Sequence, residues 1–140
     1  TEERRHPAQH PMSDRVQQFV SFRQRMNERI LGIDNQVTKR FFALDRQCYG
    51  GDGHLDVRTK EMLGLVASLV LRCDDCVSYH LAQCRQAGLS FEEIYEAMSV
   101  GLVVGGSIVI PHLRRAVDFL DQLAASEAGA VAESDSADLP

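Results

Sequence analysis

The stretch Leu55–Gly88, LDVRTKEMLGLVASLVLRCDDCVSYHLAQCRQAG, decides the fold. Asp56 suits a helix N-cap, because a short carboxylate can accept the free backbone N–H groups of a first turn. The helix it opens carries Met62, Leu63, Leu65, Val66, Leu69 and Val70 and is apolar on most sides, which suits a central position or a subunit contact. Near Arg72 the pattern changes to Cys73-Asp74-Asp75-Cys76. Either the helix continues or a new one starts here. Two acids in a first turn complement the positive end of the helix dipole and favour a new start. Gly88 closes that segment.

Helical signals continue on both sides. Upstream, Val16, Phe19, Val20, Phe22, Met26 and Ile30 form a stripe from Ser13 to a stop at Gly32. A further helix is expected from about Asp34 to Cys48, with Val37, Phe41, Leu44 and Cys48 on one face, ended by Gly50-Gly51-Asp52-Gly53. Downstream, Ser90 and Glu93 form a capping box, with Leu89 and Ile94 as its hydrophobic staple. That helix runs to about Val104 and breaks at Gly105-Gly106. A last helix opens at Ser107, turns Ile108, Leu113, Val117 and Leu120 inward, and carries Pro111 near its first turn. Its periodicity fades after Leu123. The reading is all-α: a single domain of five to six helices over residues 13–124, a disordered lead over 1–12 and an acidic disordered tail over 125–140.

Composition agrees. The chain has 140 residues, 44% of them apolar and 6% aromatic, with no Trp. That is one domain, suited to helix packing by small side chains. The net charge is −5, and the acid surplus sits mostly in the tail, so the folded part is nearly neutral. A nucleic-acid partner would call for a basic surplus or stripe, and none is present. The longest apolar runs, Met62–Leu71 and Val100–Ile110, are shorter than the roughly 18–20 residues of a membrane span. With no secretory signal at its start and no Met at position 1, the chain reads as a trimmed cytoplasmic protein.

Four cysteines, Cys48, Cys73, Cys76 and Cys84, raise the question of chemistry. At about 100° per residue, Cys73, Cys76, His80 and Cys84 share one helix face. A zinc site is chemically reasonable, but a helical rhythm spreads Cys73 and Cys84 about 16 Å along the axis, too far for one ion. Three of these ligands with His54 or His112 would still make a set. Covalent haem needs His directly after the second Cys, where Val77 stands. A redox dithiol fits a Cys-x-x-Cys pair at a helix start, with His80 one turn beyond Cys76 to serve as base. Asp74 and Asp75 oppose a thiolate. The plainest alternative makes the cysteines small core residues and His80 a satisfied core histidine. Glu61, beside the apolar run, is in the ordinary case a solvated first-turn acid.

Glu61-x11-Cys73-x2-Cys76-x3-His80 resembles the signature of alkylhydroperoxidase D-like proteins, in the carboxymuconolactone decarboxylase superfamily. Thr59-Lys60-Glu61 opening a helix, Cys-Asp-Asp-Cys and Tyr79-His80 add to the likeness, which covers about Leu55 to Leu123. The resemblance implies an all-α fold and a catalytic set of Cys76, Cys73, His80 and Glu61 with no cofactor or metal. Cys76 would be oxidised by a small hydroperoxide to a sulfenic acid. Cys73, nearer the surface, would resolve it to a disulfide and later meet an external thiol or dithiol reductant. His80 would take the thiol proton, and Glu61 would orient it or relay protons. The family's small members are usually rings, often hexamers, and a homo-oligomer is expected here. The two apolar runs exceed what a monomeric core needs, and Gly101, Gly105, Gly106 and Ser107 allow close helix approach. One departure stands out: the best-known peroxidase member has His where this chain has Asp75, which should weaken the thiolate or redirect the chemistry to another thiol–disulfide exchange. The superfamily's decarboxylase branch uses no cysteine pair, so a lyase is the lesser reading, beside a zinc-binding or scaffold oligomer with idle cysteines. Cys84 reads as packing and Cys48 as a surface thiol, while His6, His10, His54 and His112 read as incidental.

Overall fold

The computed structural model describes the backbone of residues 11–137 and the side chains of 15–130. Residues 1–10 of the expected lead, with His6 and His10, and residues 138–140 of the expected tail lie outside the described residues. Among the described residues six α-helices follow in order: α1 Pro11–Leu31, α2 Gln36–Tyr49, α3 Val57–Val70, α4 Asp74–Gln86, α5 Phe91–Gly105 and α6 Ile110–Ala137, with a 3-10 turn at Ser107–Val109 before α6. No strand occurs among the described residues. None of these helices is long and apolar enough to cross a membrane.

Local chemistry sets the boundaries. Asp56 caps α3 by accepting the Thr59 N–H at 2.8 Å. Ser90 caps α5 by accepting the Glu93 N–H at 3.1 Å. The reciprocal half of the expected capping box is replaced, because the Glu93 carboxylate accepts from Arg58 at 2.9 Å. A guanidinium is a stronger partner for a carboxylate than a backbone amide. Asn35, rather than Asp34, caps α2.

The α3–α4 junction carries the site. Cys73 N–H bonds Ser68 O at 3.1 Å and Arg72 N–H bonds Leu69 O at 3.0 Å, a Schellman closure of α3. The pivot residue of such a closure is left-handed. Here it is Arg72, with φ 60°. The same closure at the end of α4 uses Gly88, with φ 89°. Cys73 then caps α4, so one residue both completes α3's ending and opens the next helix. The expected new start is what the chain does. The shared helical face of the three cysteines is corrected in one respect: Cys73 has extended φ/ψ and lies outside the helical rotation.

The core gathers Leu65 and Leu69 of α3, Val77, Leu81 and Cys84 of α4, Ile94 and Met98 of α5, and Phe119 and Leu120 of α6, each at most 2% exposed. Leu89 and Ile94, the expected staple, are both buried. α1 lies along α6, with Phe19 edge-on to Phe119 at 5.5 Å and an Arg15–Asp118 ion pair. α2 buries no residue, so the face of Val37, Phe41 and Leu44 is exposed. α6 continues to Ala137, through residues expected to be tail. Its last turns are rich in alanine, the strongest helix former, and reach Ala137 without proline. Such a segment can be helical with no apolar stripe, so fading periodicity does not mark the end of the helix.

Candidate functional site

Glu61 lies on the first turns of α3 and His80 in the middle of α4, and the packing of these two helices brings them together. Their side chains are buried, and His80 Nδ1 is 2.7 Å from a Glu61 carboxylate oxygen. The solvated-acid reading of Glu61 is thereby set aside. A buried carboxylate needs a strong donor, and the imidazole N–H supplies it. An ionised carboxylate only accepts, so Nδ1 carries the hydrogen and Nε2 is left as the basic nitrogen.

Cys73 and Cys76 are joined in a disulfide, with Cα atoms 5.3 Å apart. Cys76 N–H also points at Cys73 Sγ, at 3.3 Å. The Cys73 sulfur thus sits at the N-terminal end of α4, facing a backbone donor. The expected order of exposure is reversed in this chain: Cys76 is exposed and Cys73 half-buried. Cys73 is turned inward by the tight α3 closure, whereas Cys76 opens onto a cavity. Cys48 is exposed and Cys84 buried, both free. Burial pushes the Cys84 thiol up to about 12, with the Glu61 charge adding to the effect.

The cavity, about 660 Å³, lies between α1, α2 and α4. Phe19, Phe22 and Met26 of α1 and Phe41 and Phe42 of α2 form apolar walls. Cys76, Tyr79 and His80 present the chemistry, and Arg23, Asn27, Asp45, Arg46 and Asp75 supply polar groups. Arg23 lies over the Tyr79 ring, 3.8 Å from its centroid. Burial and the Glu61 charge hold the Tyr79 phenol above its ordinary range, while Arg23 pulls the other way.

Several contributors escape a motif-based reading. Tyr49, at the end of α2, places its hydroxyl 3.3 Å from His80 Nε2. Gly64, one turn after Glu61, leaves room for both: a Cβ there would lie 2.5 Å from the Tyr49 hydroxyl and 2.8 Å from His80 Nε2. His112, read as incidental, bonds Asp74 at 2.7 Å, with Arg115 at 3.4 Å from the other carboxylate oxygen. Asp74 is thus held from α6 by His112 and Arg115, whereas its neighbour Asp75 faces the cavity. His54 is exposed on the glycine loop. Among the described residues, no three of His, Cys, Asp and Glu are grouped to hold a metal ion.

The sequence profile of the carboxymuconolactone decarboxylase family matches residues 35–119. A crystal structure of a carboxymuconolactone decarboxylase family protein from Thermotoga maritima, for which a part in the antioxidative response has been suggested, superposes with a TM-score of 0.77. It is 57% identical over 81% of this chain and 95% of its own. The apo form of a carboxymuconolactone decarboxylase family protein from Legionella pneumophila is 25% identical over 83% of this chain and 93% of its own, with a TM-score of 0.52. An uncharacterised protein of the cox locus of Paracoccus denitrificans is 30% identical over 62% of this chain and 78% of its own length.

Proposed function

Because this chain belongs to the carboxymuconolactone decarboxylase family, we propose that it is a thiol-dependent peroxidase working through Cys73 and Cys76. The observation that supports this most is the bonded cysteine pair at the start of α4, with Cys76 and the Glu61-held His80 lining one cavity. A nucleophile, a base and a group orienting the base make up an activated-nucleophile site. The Thermotoga relative's suggested antioxidative part points the same way.

The Cys76 thiol gives its proton to the His80 side of the site, and the thiolate attacks the distal oxygen of a hydroperoxide. An S–O bond forms, the O–O bond breaks, and the alcohol leaves with a proton. Cys73 then attacks the sulfenic sulfur, the S–S bond forms and water departs. An external dithiol reduces the disulfide, so hydroperoxide and dithiol yield alcohol, water and oxidised dithiol. Glu61 keeps the imidazole in one tautomer and offsets its charge when protonated. Sharing of the Asp74 charge by His112 and Arg115 lessens the penalty that two acids place on the thiolate. The apolar cavity walls favour hydroperoxides with an apolar body over hydrogen peroxide.

The reducing cytoplasm is the compartment that would regenerate the dithiol. The protein acts as a homo-oligomer, a hexamer in this reading. Val37, Phe41 and Leu44 on α2 and Val100, Val103, Val104 and Ile108 around the end of α5 are 55–85% exposed, more apolar surface than an isolated chain ordinarily leaves in water. The test is chemical trapping. Reduced Cys73→Ser protein treated with cumene hydroperoxide should accumulate a sulfenic acid at Cys76, captured by dimedone and located by mass spectrometry. Capture at Cys48 alone would refute the assignment.

A further inference from the structure

Both ring nitrogens of His80 are already engaged inside the protein. Nδ1 donates to Glu61, and Nε2 faces the Tyr49 hydroxyl at 3.3 Å. A base that takes the Cys76 proton must accept it at Nε2, and the phenol stands on that nitrogen. A hydroxyl can fill this place in both states of the ring, donating to neutral imidazole and accepting from imidazolium. A hydrogen bond from a charged donor is roughly twice as strong as a neutral one, so the phenol favours the protonated ring.

Two further observations bear on Tyr49. Gly64 interrupts an apolar helix where any Cβ would strike the Tyr49 hydroxyl and the imidazole edge. Glycine in a helix interior costs about 1 kcal/mol relative to alanine, so a packing reason is expected for it, and the Tyr49–His80 contact is that reason. The phenol is also held above its ordinary range by burial and by the Glu61 charge, which keeps its proton in place as a donor.

On the peroxidase reading, which supplies the need for a base at Cys76, we propose that Tyr49 is a positioning residue through which His80 exchanges its proton with the site. As Cys76 ionises, its S–H bond breaks and the released proton passes through solvent to the phenol oxygen. The Tyr49 O–H proton moves to Nε2 in the same event. Tyr49 ends as a phenol, His80 as an imidazolium beside the Glu61 carboxylate, and Cys76 as a thiolate. No electrons are transferred. The reverse passage returns the proton to the alcohol leaving the O–O bond.

The test reads the thiol and not turnover, so it stands apart from the peroxidase assignment. Reduced protein carrying Cys48→Ser is alkylated with iodoacetamide between pH 5 and 9, and modification of Cys76 is followed by mass spectrometry, with and without Tyr49→Phe. The half-maximal rate should move up by about half a unit to one unit of pH, and the rate at pH 7 should fall roughly three- to tenfold, because the imidazolium loses its charge-assisted partner. Gly64→Ala, which crowds both the hydroxyl and the imidazole edge while keeping Tyr49, should move the profile the same way. An unchanged profile in a folded Tyr49→Phe protein overturns the proposal. Faster alkylation of Cys76 also overturns it, since Tyr49 would then be a plug on Nε2. If the profile shifts as stated but no hydroperoxide is consumed, the peroxidase reading fails and the role of Tyr49 stands.

Discussion

Gly64→Ala sets two ordinary rules against each other. Helix propensity alone says that alanine in the middle of α3 should stabilise by about 1 kcal/mol. The surroundings say otherwise, because the new methyl would lie 2.5 Å from the Tyr49 hydroxyl and 2.6 Å from His80 Cε1. Neither neighbour moves freely, since His80 is buried and fixed by Glu61 at 2.7 Å, and Tyr49 is half-buried against it. Overpacking of this kind costs about 1–3 kcal/mol. Loss of the Tyr49–His80 hydrogen bond adds about 1 kcal/mol. Subtracting the propensity gain leaves a net destabilisation of about 1–3 kcal/mol. For a domain of this size that is a fall in Tm of roughly 4–12 °C. The matched control is Gly129→Ala on α6, where a Cβ meets nothing within 4 Å. It should leave Tm unchanged or raise it slightly. Thermal unfolding of the two variants beside the parent, followed by circular dichroism at one protein concentration, makes the comparison. If Gly64→Ala matched Gly129→Ala, the close approach at Gly64, and the account of Tyr49 built on it, would be refuted.

Other expectations follow from the cysteines and the α3–α4 turn. Iodoacetamide on the native oxidised protein should label Cys48 and spare Cys84 until denaturant is added, as peptide mapping would show; prompt labelling of Cys84 would contradict its burial. The folded-state thiol of Cys84 is raised from the usual 9.0 to about 12, so folding holds its proton. The stability this gives is fully present below about pH 9 and is lost as pH rises through about 12. Cys84→Val, similar in volume and unable to ionise, should flatten the fall of Tm between pH 9 and 11, and an unaltered slope would place the alkaline sensitivity elsewhere. Arg72→Gly should stabilise by about 0.5–1 kcal/mol, because relief of the left-handed strain exceeds the added freedom of glycine in the unfolded chain. A lower Tm would mean that the Arg72 side chain makes a contact worth more than the strain.

What could be read from the sequence was local. The Asp56 and Ser90 caps, the Leu89–Ile94 staple and the glycine stops act within four or five residues, so letters alone place them. Glu61 and His80 were legible through the spacing of the family signature. Tyr49 was not, because 31 residues separate it from His80 and only the packing of α2 near α3 joins them. Gly64 did leave a signal: a glycine inside a strongly apolar helix asks for a close neighbour, but not which one. The cavity walls from α1 and α2 fall outside the Leu55–Leu123 likeness, so the motif could not announce them. The exposure of Cys76 relative to Cys73 depends on how the α3 closure turns, and residue spacing does not encode that. The helical run of α6 to Ala137 leaves no amphipathic signal, because alanine-rich sequence can be helical without an apolar stripe.

The most direct test is steady-state consumption of cumene hydroperoxide by the full chain with dithiothreitol as donor, comparing the parent with Cys76→Ser and counting thiols after a single turnover. The account predicts that the parent loses two thiols per hydroperoxide, both mapping to the Cys73–Cys76 disulfide, and that Cys76→Ser is inactive while remaining folded. Full activity in Cys76→Ser, or thiols at positions 73 and 76 that ignore the hydroperoxide in the native parent, would contradict it.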